Sequence, residues 1–396
     1  MNKTLAILFV GIFSVLIMLL AQVFSVSAPT PDVVNPKVTV RLQSIKLGES
    51  IPLEISGRWQ MVDTRNENVL IERDNFQGNL ACDITGPQLG AYASNRDYIH
   101  LSFDSKSSLR LNYFSYPGDL IIEVERDKDN QPKEMQLFLE LDLEDYVLGV
   151  ICGELPSQTP NIGAALAAQA VAARTYAIYK IQQGKRLRGD SRDQVYIGSD
   201  YYTQQARDAA HLTSGLVLKE NAAVLPSFFH RSCGGGTTDA KLADFSKQYL
   251  QGLSGNPDSE CADVYQRWAR TIDVNRLDKL STDLNLGDSL LALNTVTKDK
   301  YQRRLMMRLQ GKKGHRDVTG EFVRARLGLP SMIWHALIIN PDGSITITGS
   351  GHGHGIGLCQ EGAMRRATQG ADYASILQHY YPSAEVAVLT AKLFNQ

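Results

Sequence analysis

The sequence predicts an α+β fold in which a mixed, mainly antiparallel sheet is backed by an alanine-rich core helix, with a β-rich segment on its N-terminal side. Two patterns support this class. Between residues 29 and 135, short runs alternate apolar and polar side chains, which is the period of strands with one buried face. Between residues 160 and 184, apolar residues recur at helical spacing within a stretch dense in alanine.

The length and the charge of the chain limit what it can be. With 396 residues it can bury a large core, and we expect one large domain and a smaller one. The formal net charge of −1 gives no sign of a nucleic-acid partner. We therefore expect a neutral or mixed-sign ligand.

Residues 1–28 have the pattern of an export signal. Lys3 precedes an apolar run over residues 5–24, and the small residues Val26-Ser27-Ala28 follow as a cleavage site. The run also approaches the length of about 20 apolar residues that a membrane-spanning helix needs, so a cleaved signal and an uncleaved membrane anchor both stay open. In either case we expect the rest of the chain to be exported to the cell envelope, secreted or anchored by this segment.

The β-rich N-terminal segment is expected at 29–135, before a second domain at 136–390. Strands are predicted at 38–42, 51–55 and 109–111, separated by turn pairs such as Pro117-Gly118. We expect this segment to pack on the second domain.

The stretch from 143 to 180 is the centre of the second domain. A strand-like run at 146–151 leads to a lone carboxylate, Glu154, before a turn at Pro156. Thr159 is a good N-cap and Pro160 suits the first turn of a helix that Gly184 would end. The pattern therefore predicts that Glu154 is held between a buried strand and a closely packed helix.

The next part of the chain contains a glycine-rich turn and a basic run. A strand ending near His230 leads into Gly234-Gly235-Gly236, which can either shape the wall of a cleft or form an ordinary glycine-rich turn. A lone histidine such as His230 is more often part of a core. A helix is expected within 272–293. The basic run at 298–316, with a hairpin at 311–314, indicates either a solvated face or contact with an anionic polymer.

The C-terminal quarter contains strands predicted at 332–339 and 344–348 and the glycine-rich sequence GSGHGHGIGLCQEGA. His352 and His354 are two residues apart, so an extended backbone would direct both to one face. The alternating glycines would leave that face open to a wide polymeric ligand. Helices are expected at 360–367 and 373–381.

Two stretches resemble a known family. LEDYVLGVICGELP followed by AAQAVAARTYA, and later GHGHGIGLCQEGA, are similar to the two signatures of the SpoIID/LytB family of bacterial envelope proteins. The resemblance covers about residues 109–382. It implies that Glu154 is the catalytic acid, and that substrate is bound or positioned by a further set of residues, namely Arg174, His230, His352, His354 and Gln360. For Arg174, a structural ion pair with Asp145 or Glu144 is the alternative.

The resemblance implies action on the glycan strands of peptidoglycan. Breaking a glycosidic bond needs a carboxyl that gives a proton to the leaving oxygen. A lytic transglycosylase can use a single Glu, since the N-acetyl group and 6-hydroxyl of the substrate replace a second carboxylate and water. The alternative is a non-catalytic peptidoglycan-binding enhancer of an N-acetylmuramoyl-L-alanine amidase, with that murein amidase as a further partner.

No metal or cofactor is expected. Family members that bind zinc carry Cys and His just before the segment that corresponds to Gln194-Val195-Tyr196, whereas this chain has Ser191, Arg192 and Asp193 there. A third hypothesis is a metal or thiol enzyme, in which His352, His354 and Cys359, with His230 and Cys233, bind zinc, or Cys152 and a histidine form a nucleophilic pair. The spacing of the first set matches no usual structural zinc site, and the acid two residues from Cys152 does not activate its thiol. The five cysteines are too few for a disulfide framework, and their odd number leaves at least one thiol unpaired.

Overall fold

A computed structural model describes residues 33–242, 253–261 and 267–395. The chain from Val34 onwards forms one compact unit. The predicted signal or anchor at 1–28 lies outside the described residues. Among the residues that are described, none of the helices combines the length and the apolar character needed to cross a bilayer.

The predicted α+β class is confirmed, and the β-rich segment is an antiparallel sheet. Its strands are β1 (Lys37–Lys46), β2 (Ser50–Asp63), β3 (Asn68–Asp83), β4 (Gly86–Leu89), β5 (Tyr92–Ala93), β6 (Tyr98–Phe103), β7 (Ser108–Leu111), β8 (Phe114–Tyr116), β9 (Asp119–Arg126) and β10 (Pro132–Asp142). They pair in the order β1-β10-β9-β6-β2-β3-β4-β5, and β7 pairs with β2 and β8. The strands expected at 38–42, 51–55 and 109–111 lie within β1, β2 and β7. The expected boundary between residues 135 and 136 falls inside β10.

The strand expected at 146–151 is wrong, because this segment is helix α1 (Leu143–Glu154). Leu143, Tyr146, Val147, Val150 and Ile151 have the spacing of one helix face, and Leu148 and Gly149 are buried as well. Glu144 and Asp145 lie in the first turn, where acidic side chains interact favourably with the helix dipole. The helix ends at Glu154, and the next residue, Leu155, has the extended backbone that a following proline favours.

The alanine-rich helix is α2 (Gly163–Gln182), and it begins later than expected. Asn161 has a φ of 62°, so Thr159 and Pro160 belong to a turn rather than to the helix. The helix stops before Gly184, as predicted, and the φ of Gly184 is 65°. Every residue from 165 to 178 is buried, and the small alanine side chains allow neighbours to pack closely on all sides.

The remaining elements follow in chain order. They are β11 (Leu187–Arg188), α3 (Gln204–Leu212), β12 (Leu216–Glu220), β13 (Ala223–Val224), β14 (Phe229–His230), a single 3₁₀ turn (Ser259–Cys261), β15 (Arg267–Ile272), α4 (Val274–Asp283), β16 (Leu290–Lys298), β17 (Arg304–Gly311), β18 (Gly314–Thr319), α5 (Gly320–Leu327), β19 (Ile333–Ile339), β20 (Ile345–Ser350), β21 (Leu358–Cys359), α6 (Gln360–Thr368), α7 (Tyr373–Tyr380), β22 (Glu385–Val388) and α8 (Ala391–Phe394). Strand β11 extends the large sheet parallel to β1.

Two hydrophobic cores lie within this unit. The larger contains the inner face of the large sheet, α1, α2 and the C-terminal helices α6 and α7. The smaller is formed between residues 272 and 347, with Met307, Leu309, Ile347 and Val323 at its centre. Sequence patterns did not reveal this second core. We call the segment that contains it, residues 267–350, the small lobe.

Predictions for the small lobe are confirmed in part. The hairpin at 311–314 joins β17 to β18, and the strands expected at 332–339 and 344–348 are β19 and β20. The helix expected within 272–293 is shorter, since α4 ends at Asp283 and a chain reversal at Asn285 and Gly287, both with positive φ, leads into β16.

Candidate functional site

A groove of about 730 Å³ brings together residues from distant parts of the chain. Its walls contain five of the six predicted site residues, namely Glu154, His230, His352, His354 and Gln360. The large core contributes these residues, and the small lobe contributes Glu321 and Arg324. The groove is therefore lined by both signature stretches and by the small lobe.

Glu154 is fixed in the groove by two neutral donors. It is the last residue of α1, and its Oε1 accepts a hydrogen bond of 2.7 Å from the backbone N–H of Val195. Its Oε2 accepts a bond of 3.1 Å from the side-chain amide of Gln360, the first residue of α6. The two signature stretches thus meet at this carboxyl.

The close approach of Val195 depends on the glycine before Glu154. A Cβ atom on Gly153 would lie 2.5 Å from the carbonyl oxygen of Val195, too close for any real contact. Glycine at 153 therefore lets the segment around Val195 lie against α1, where its N–H reaches the carboxyl.

The surroundings of Glu154 favour its protonated form. Burial raises the pKa of its carboxyl above the ordinary value, while the Val195 N–H and the Gln360 amide lower this pKa by a smaller amount. Its place at the C-terminus of α1, the negative end of the helix dipole, also disfavours the carboxylate.

The two other carboxyls in the groove wall each have a cationic partner. Asp193 accepts from Lys180 Nζ at 2.7 Å and from the Tyr176 hydroxyl at 2.8 Å. Glu321 accepts two bonds from the Arg324 guanidinium, at 2.7 and 2.5 Å. These two carboxyls are thus ion-paired, whereas neutral groups hold Glu154.

His230 lies on β14, which pairs in parallel with β21 just before Gln360. Its Nδ1 lies 3.1 Å from the backbone oxygen of Ile356, which accepts a hydrogen bond from the tautomer protonated at Nδ1. Burial and the charge of Arg303 lower the pKa of His230 to about 3, so the ring is neutral near pH 7.

The two later histidines both line the groove, but the reason differs from the expected one. Gly351, Gly353 and Gly355 have φ values of 80°, 99° and 84°, so the backbone is tightly bent rather than extended. His354 Nδ1 accepts from the N–H of Ile356 at 3.0 Å. Desolvation, together with nearby positive charges, lowers the pKa of both imidazoles, which favours their neutral forms.

Arg174 does not line the groove. Its side chain is fully buried on α2 and forms a two-pronged ion pair with Glu144, at 2.8 and 2.6 Å, on α1. It also donates to the backbone oxygen of Leu216 at 3.0 Å. This arrangement favours the structural alternative for Arg174, since it joins α1, α2 and β12.

Several groove residues were missed by sequence reasoning, namely Tyr176, Asp193, Arg231, Glu321 and Arg324. Arg231 directly follows the candidate His230, and Glu321 and Arg324 are three residues apart on α5, so they share one helix face. That spacing was visible in the sequence, but the position of the small lobe beside the groove was not.

The ligand set of the zinc or thiol hypothesis is not formed as written. Cys359 groups with Cys233, Cys261 and Asp258, all buried, rather than with His352 and His354. The described part of the chain holds one further cluster of possible ligands, at His100, Asp119 and Glu140, which are partly exposed.

Comparisons with known proteins agree with the two signatures. The family model described as SpoIID, stage II sporulation protein, matches residues 131–219. An uncharacterized protein of Brachyspira hyodysenteriae is 29% identical over 296 residues, which cover 72% of this chain and 75% of that protein. A stage II sporulation protein D of Bacillus amyloliquefaciens is 28% identical over 287 residues, covering 62% of this chain and 74% of its own length.

A third relative carries a different name. The amidase enhancer of Bacillus subtilis is 27% identical over 285 residues, which cover 59% of this chain and 39% of the enhancer. The matched family model includes α1, α2 and Glu154, and the relatives carry both names of the family. The chain is thus similar to proteins of the SpoIID/LytB family, and the matched family model lies over its first signature.

Proposed function

We propose that this protein cleaves the glycan strands of peptidoglycan as a lytic transglycosylase, with Glu154 as the general acid. The observation that carries the proposal is a buried carboxyl of raised pKa, held by two neutral donors, in a groove of about 730 Å³. Catalytic acids of glycosidases have this kind of environment.

The reaction needs one carboxyl in two roles. Protonated Glu154 gives its proton to the glycosidic oxygen as the bond from that oxygen to C1 breaks. The 6-hydroxyl of the same sugar then forms a bond to C1 and returns its proton to the Glu154 carboxylate. No water is consumed, and the product ends in an anhydro sugar.

The other groove residues have supporting roles in this proposal. Gln360 and the Val195 N–H orient the carboxyl and stabilise its charged form after proton transfer. The neutral imidazoles of His352 and His354 can exchange hydrogen bonds with hydroxyl and N-acetyl groups without repelling an uncharged sugar. Glu321 is ion-paired with Arg324, and the proposed reaction needs no second acid.

The test uses glycan strands freed of stem peptides. We expect soluble fragments with anhydro-muramyl ends, identified by mass spectrometry, and a loss of rate of about 10²- to 10⁴-fold in Glu154→Gln, the usual contribution of a general acid. The matched control is Glu125→Gln on β9, which removes a carboxylate outside the groove wall and should leave the rate unchanged. Anhydro products from Glu154→Gln at the wild-type rate would remove the assignment.

The second candidate is a non-catalytic enhancer of a murein amidase, and the name of the Bacillus subtilis relative favours it. The same groove would then bind glycan and bring an amidase to it. In that case the protein alone releases no fragments from intact or peptide-free murein, while it raises the rate of an added N-acetylmuramoyl-L-alanine amidase. Under this alternative, Glu154→Gln would still enhance the amidase.

We further propose that the protein works outside the cytoplasm, because its substrate lies there and its first 28 residues have the pattern of an export signal. The intact mass of the protein recovered from the producing cells distinguishes the two forms. A chain beginning after Ala28 indicates a cleaved signal, and a membrane-bound full-length chain indicates an anchor. A full-length chain in the cytoplasm would contradict export.

A further inference from the structure

We propose that Cys233, Cys261, Cys359 and Asp258 form a structural zinc site behind the groove. One ligand atom from each of these residues lies within 4.8 Å of every other, and all four residues are buried. The inference does not depend on glycan cleavage, because the site holds the fold together and takes no part in the reaction.

The spacing of these atoms suits a tetrahedral ion. Zinc–sulfur bonds of about 2.3 Å place tetrahedral ligand atoms about 3.8 Å apart, so a small contraction of the cluster would coordinate a metal. Three thiolates and one carboxylate are ligands that zinc accepts in proteins. Thiolate sulfur also selects against magnesium and calcium, which prefer oxygen.

Hydrogen bonds around the cluster support ligation. The backbone N–H of Cys233 donates to Cys359 Sγ at 3.3 Å, and Ser232 Oγ lies 3.3 Å from Cys261 Sγ. Donors aimed at sulfur stabilise a thiolate, which is the form that binds a metal.

The carboxyl has its own supporting partners. Asp258 Oδ2 accepts from the Tyr380 hydroxyl at 2.7 Å and lies 3.5 Å from Cys233 Sγ. Its Oδ1 accepts from Arg366 at 3.0 Å. Ligating carboxylates are normally oriented by such outer hydrogen bonds, and here they direct Oδ2 toward the sulfurs.

The cluster lies where a bound metal ion would link separate parts of the chain. Cys233 follows β14, Cys359 ends β21 beside Gln360, and Cys261 ends the 3₁₀ turn. A bound ion would fasten the two glycine-rich stretches that carry His230 and Gln360. A disulfide is the competing chemistry, but it would join two sulfurs and leave the third sulfur and the carboxylate of the cluster without a role.

The experiment measures metal and thiols on the full chain, purified without chelator. We expect about one zinc per chain by elemental analysis, and at least a tenfold loss of zinc in Cys261→Ser. The control is Cys152→Ser, which removes a thiol outside the cluster and should keep the zinc. Replacement of zinc by cobalt(II) should give thiolate-to-cobalt charge-transfer absorption, and chelation should lower the melting temperature of the wild-type protein.

Three other outcomes would contradict the proposed zinc site. Absence of zinc, with two thiols fewer than the five cysteines on titration in denaturant without reductant, would show a disulfide instead. All five thiols free, with no uptake of added zinc or cobalt, would leave an unligated core. Cobalt bound without charge-transfer absorption would place the metal elsewhere. If Cys261→Ser fails to fold, the cobalt spectrum and the thiol count of the wild-type protein decide alone.

Discussion

At the scale of single residues, three carboxyls in one groove differ in their partners. Asp193 faces Lys180 and Glu321 faces Arg324, while Glu154 is held by an amide and a backbone N–H. A cation stabilises the charged form of a carboxyl, and burial without one stabilises the neutral form. The groove therefore contains one buried carboxyl of raised pKa, held by neutral donors, beside two carboxyls that are ion-paired.

The raised pKa of Glu154 predicts how stability depends on pH. Between the pKa of an unfolded Glu, about 4.3, and the higher pKa in the fold, the folded state binds more protons than the unfolded state. The free energy of unfolding therefore falls as pH rises through this window. Because Glu154→Gln cannot ionise, we expect its stability relative to wild type to increase over the same window, measured by urea unfolding at several pH values.

Glu125→Gln is the control for this measurement, since Glu125 is partly exposed and its hydrogen bond to Lys133 lowers its pKa. Its stability relative to wild type should not increase as pH rises. If the difference between Glu154→Gln and wild type stays constant with pH, burial does not raise the pKa of Glu154.

Arg174 provides a separate prediction about structural ion pairs. Arg174→Met removes the partner of Glu144 and leaves that carboxylate partly buried, so we expect a loss of about 3 kcal/mol in the free energy of unfolding. In the double variant with Glu144→Gln, the loss should be clearly less than the sum of the two single losses. Glycan binding by the folded fraction should not change; a large loss of binding at wild-type stability would place Arg174 in contact with substrate.

At the scale of elements, the position of Glu154 depends on how α1 packs against the segment around Val195. Gly149 faces the ring of Tyr196 and Gly153 faces the carbonyl of Val195, with no room for a Cβ atom at either glycine. Both glycines lie on α1, four residues apart, so they form one strip of the helix surface that carries no side chains. Against this strip, the N–H of Val195 reaches the carboxyl.

Gly153→Ala tests this packing. The added methyl group must displace the Val195 carbonyl, which we expect to destabilise the protein by about 1–3 kcal/mol, the usual effect of overpacking. It should also lower the rate of glycan cleavage, because Val195 would no longer hold Glu154. Urea unfolding and the cleavage assay measure the two effects.

The matched control is Gly163→Ala at the start of α2. A Cβ atom there meets its nearest neighbour, Gln205, at an ordinary 3.8 Å, and alanine favours helix more than glycine does. We expect unchanged or higher stability and an unchanged rate. Equal behaviour of the two alanine variants would contradict the packing explanation.

The helices and strands also show which parts of the fold local sequence patterns can predict. The strands of the β-rich segment and the end of α2 at Gly184 were predicted from alternation and turn residues, which act locally. Helix α1 was mistaken for a strand because Val147, Val150 and Ile151 are β-branched, although their spacing with Leu143 is that of a helix face. The start of α2 was missed because the left-handed backbone of Asn161 is not visible in the sequence.

At the scale of the whole molecule, the small lobe is joined to the glycine-rich stretches by one buried cation. Arg303 donates to the backbone oxygen of Cys233 at 2.9 Å and to that of Gly353 at 3.2 Å. Gly355 lies directly against the guanidinium, which leaves no space for a side chain there. This contact helps to hold Glu321 and Arg324 beside the groove.

We expect Arg303→Met to loosen this junction. The variant leaves the backbone oxygens of Cys233 and Gly353 without their donor, so the free energy of unfolding should fall by about 2–4 kcal/mol. Amide hydrogen exchange in residues 351–357 should become faster. The control, Arg308→Met, breaks an exposed pair with Asp317 in the same lobe and should leave the free energy of unfolding nearly unchanged.

The outcome for Arg303 can contradict this explanation. If exchange in residues 351–357 is the same in both arginine variants, the small lobe is held by its other contacts. The same result would also remove the reason given for glycine at position 355.

The candidate site could be predicted for those residues that lie in recognisable sequence motifs. Glu154, His352, His354 and Gln360 were identified from the two signatures, and His230 from the family resemblance of the stretch before Gly234. The structure brings all five to one groove. Glu321 and Arg324 were missed, and so was the cluster of Cys233, Asp258, Cys261 and Cys359, since these residues are far apart in the sequence and only tertiary packing brings them together. The basic run at 298–316 contains Arg303, whose buried role no charge pattern could show.

The most direct test of the central claim, that Glu154 gives a proton in the groove, is the pH dependence of kcat/KM for cleavage of peptide-free glycan strands. This ratio reports the ionisation of the free enzyme. We predict that it falls about tenfold per pH unit above an apparent pKa higher than the ordinary Glu value of about 4.3, with circular dichroism confirming that the chain stays folded. A rate that rises with pH through this ionisation, stays level between about pH 4 and pH 8, or is absent throughout would contradict the claim.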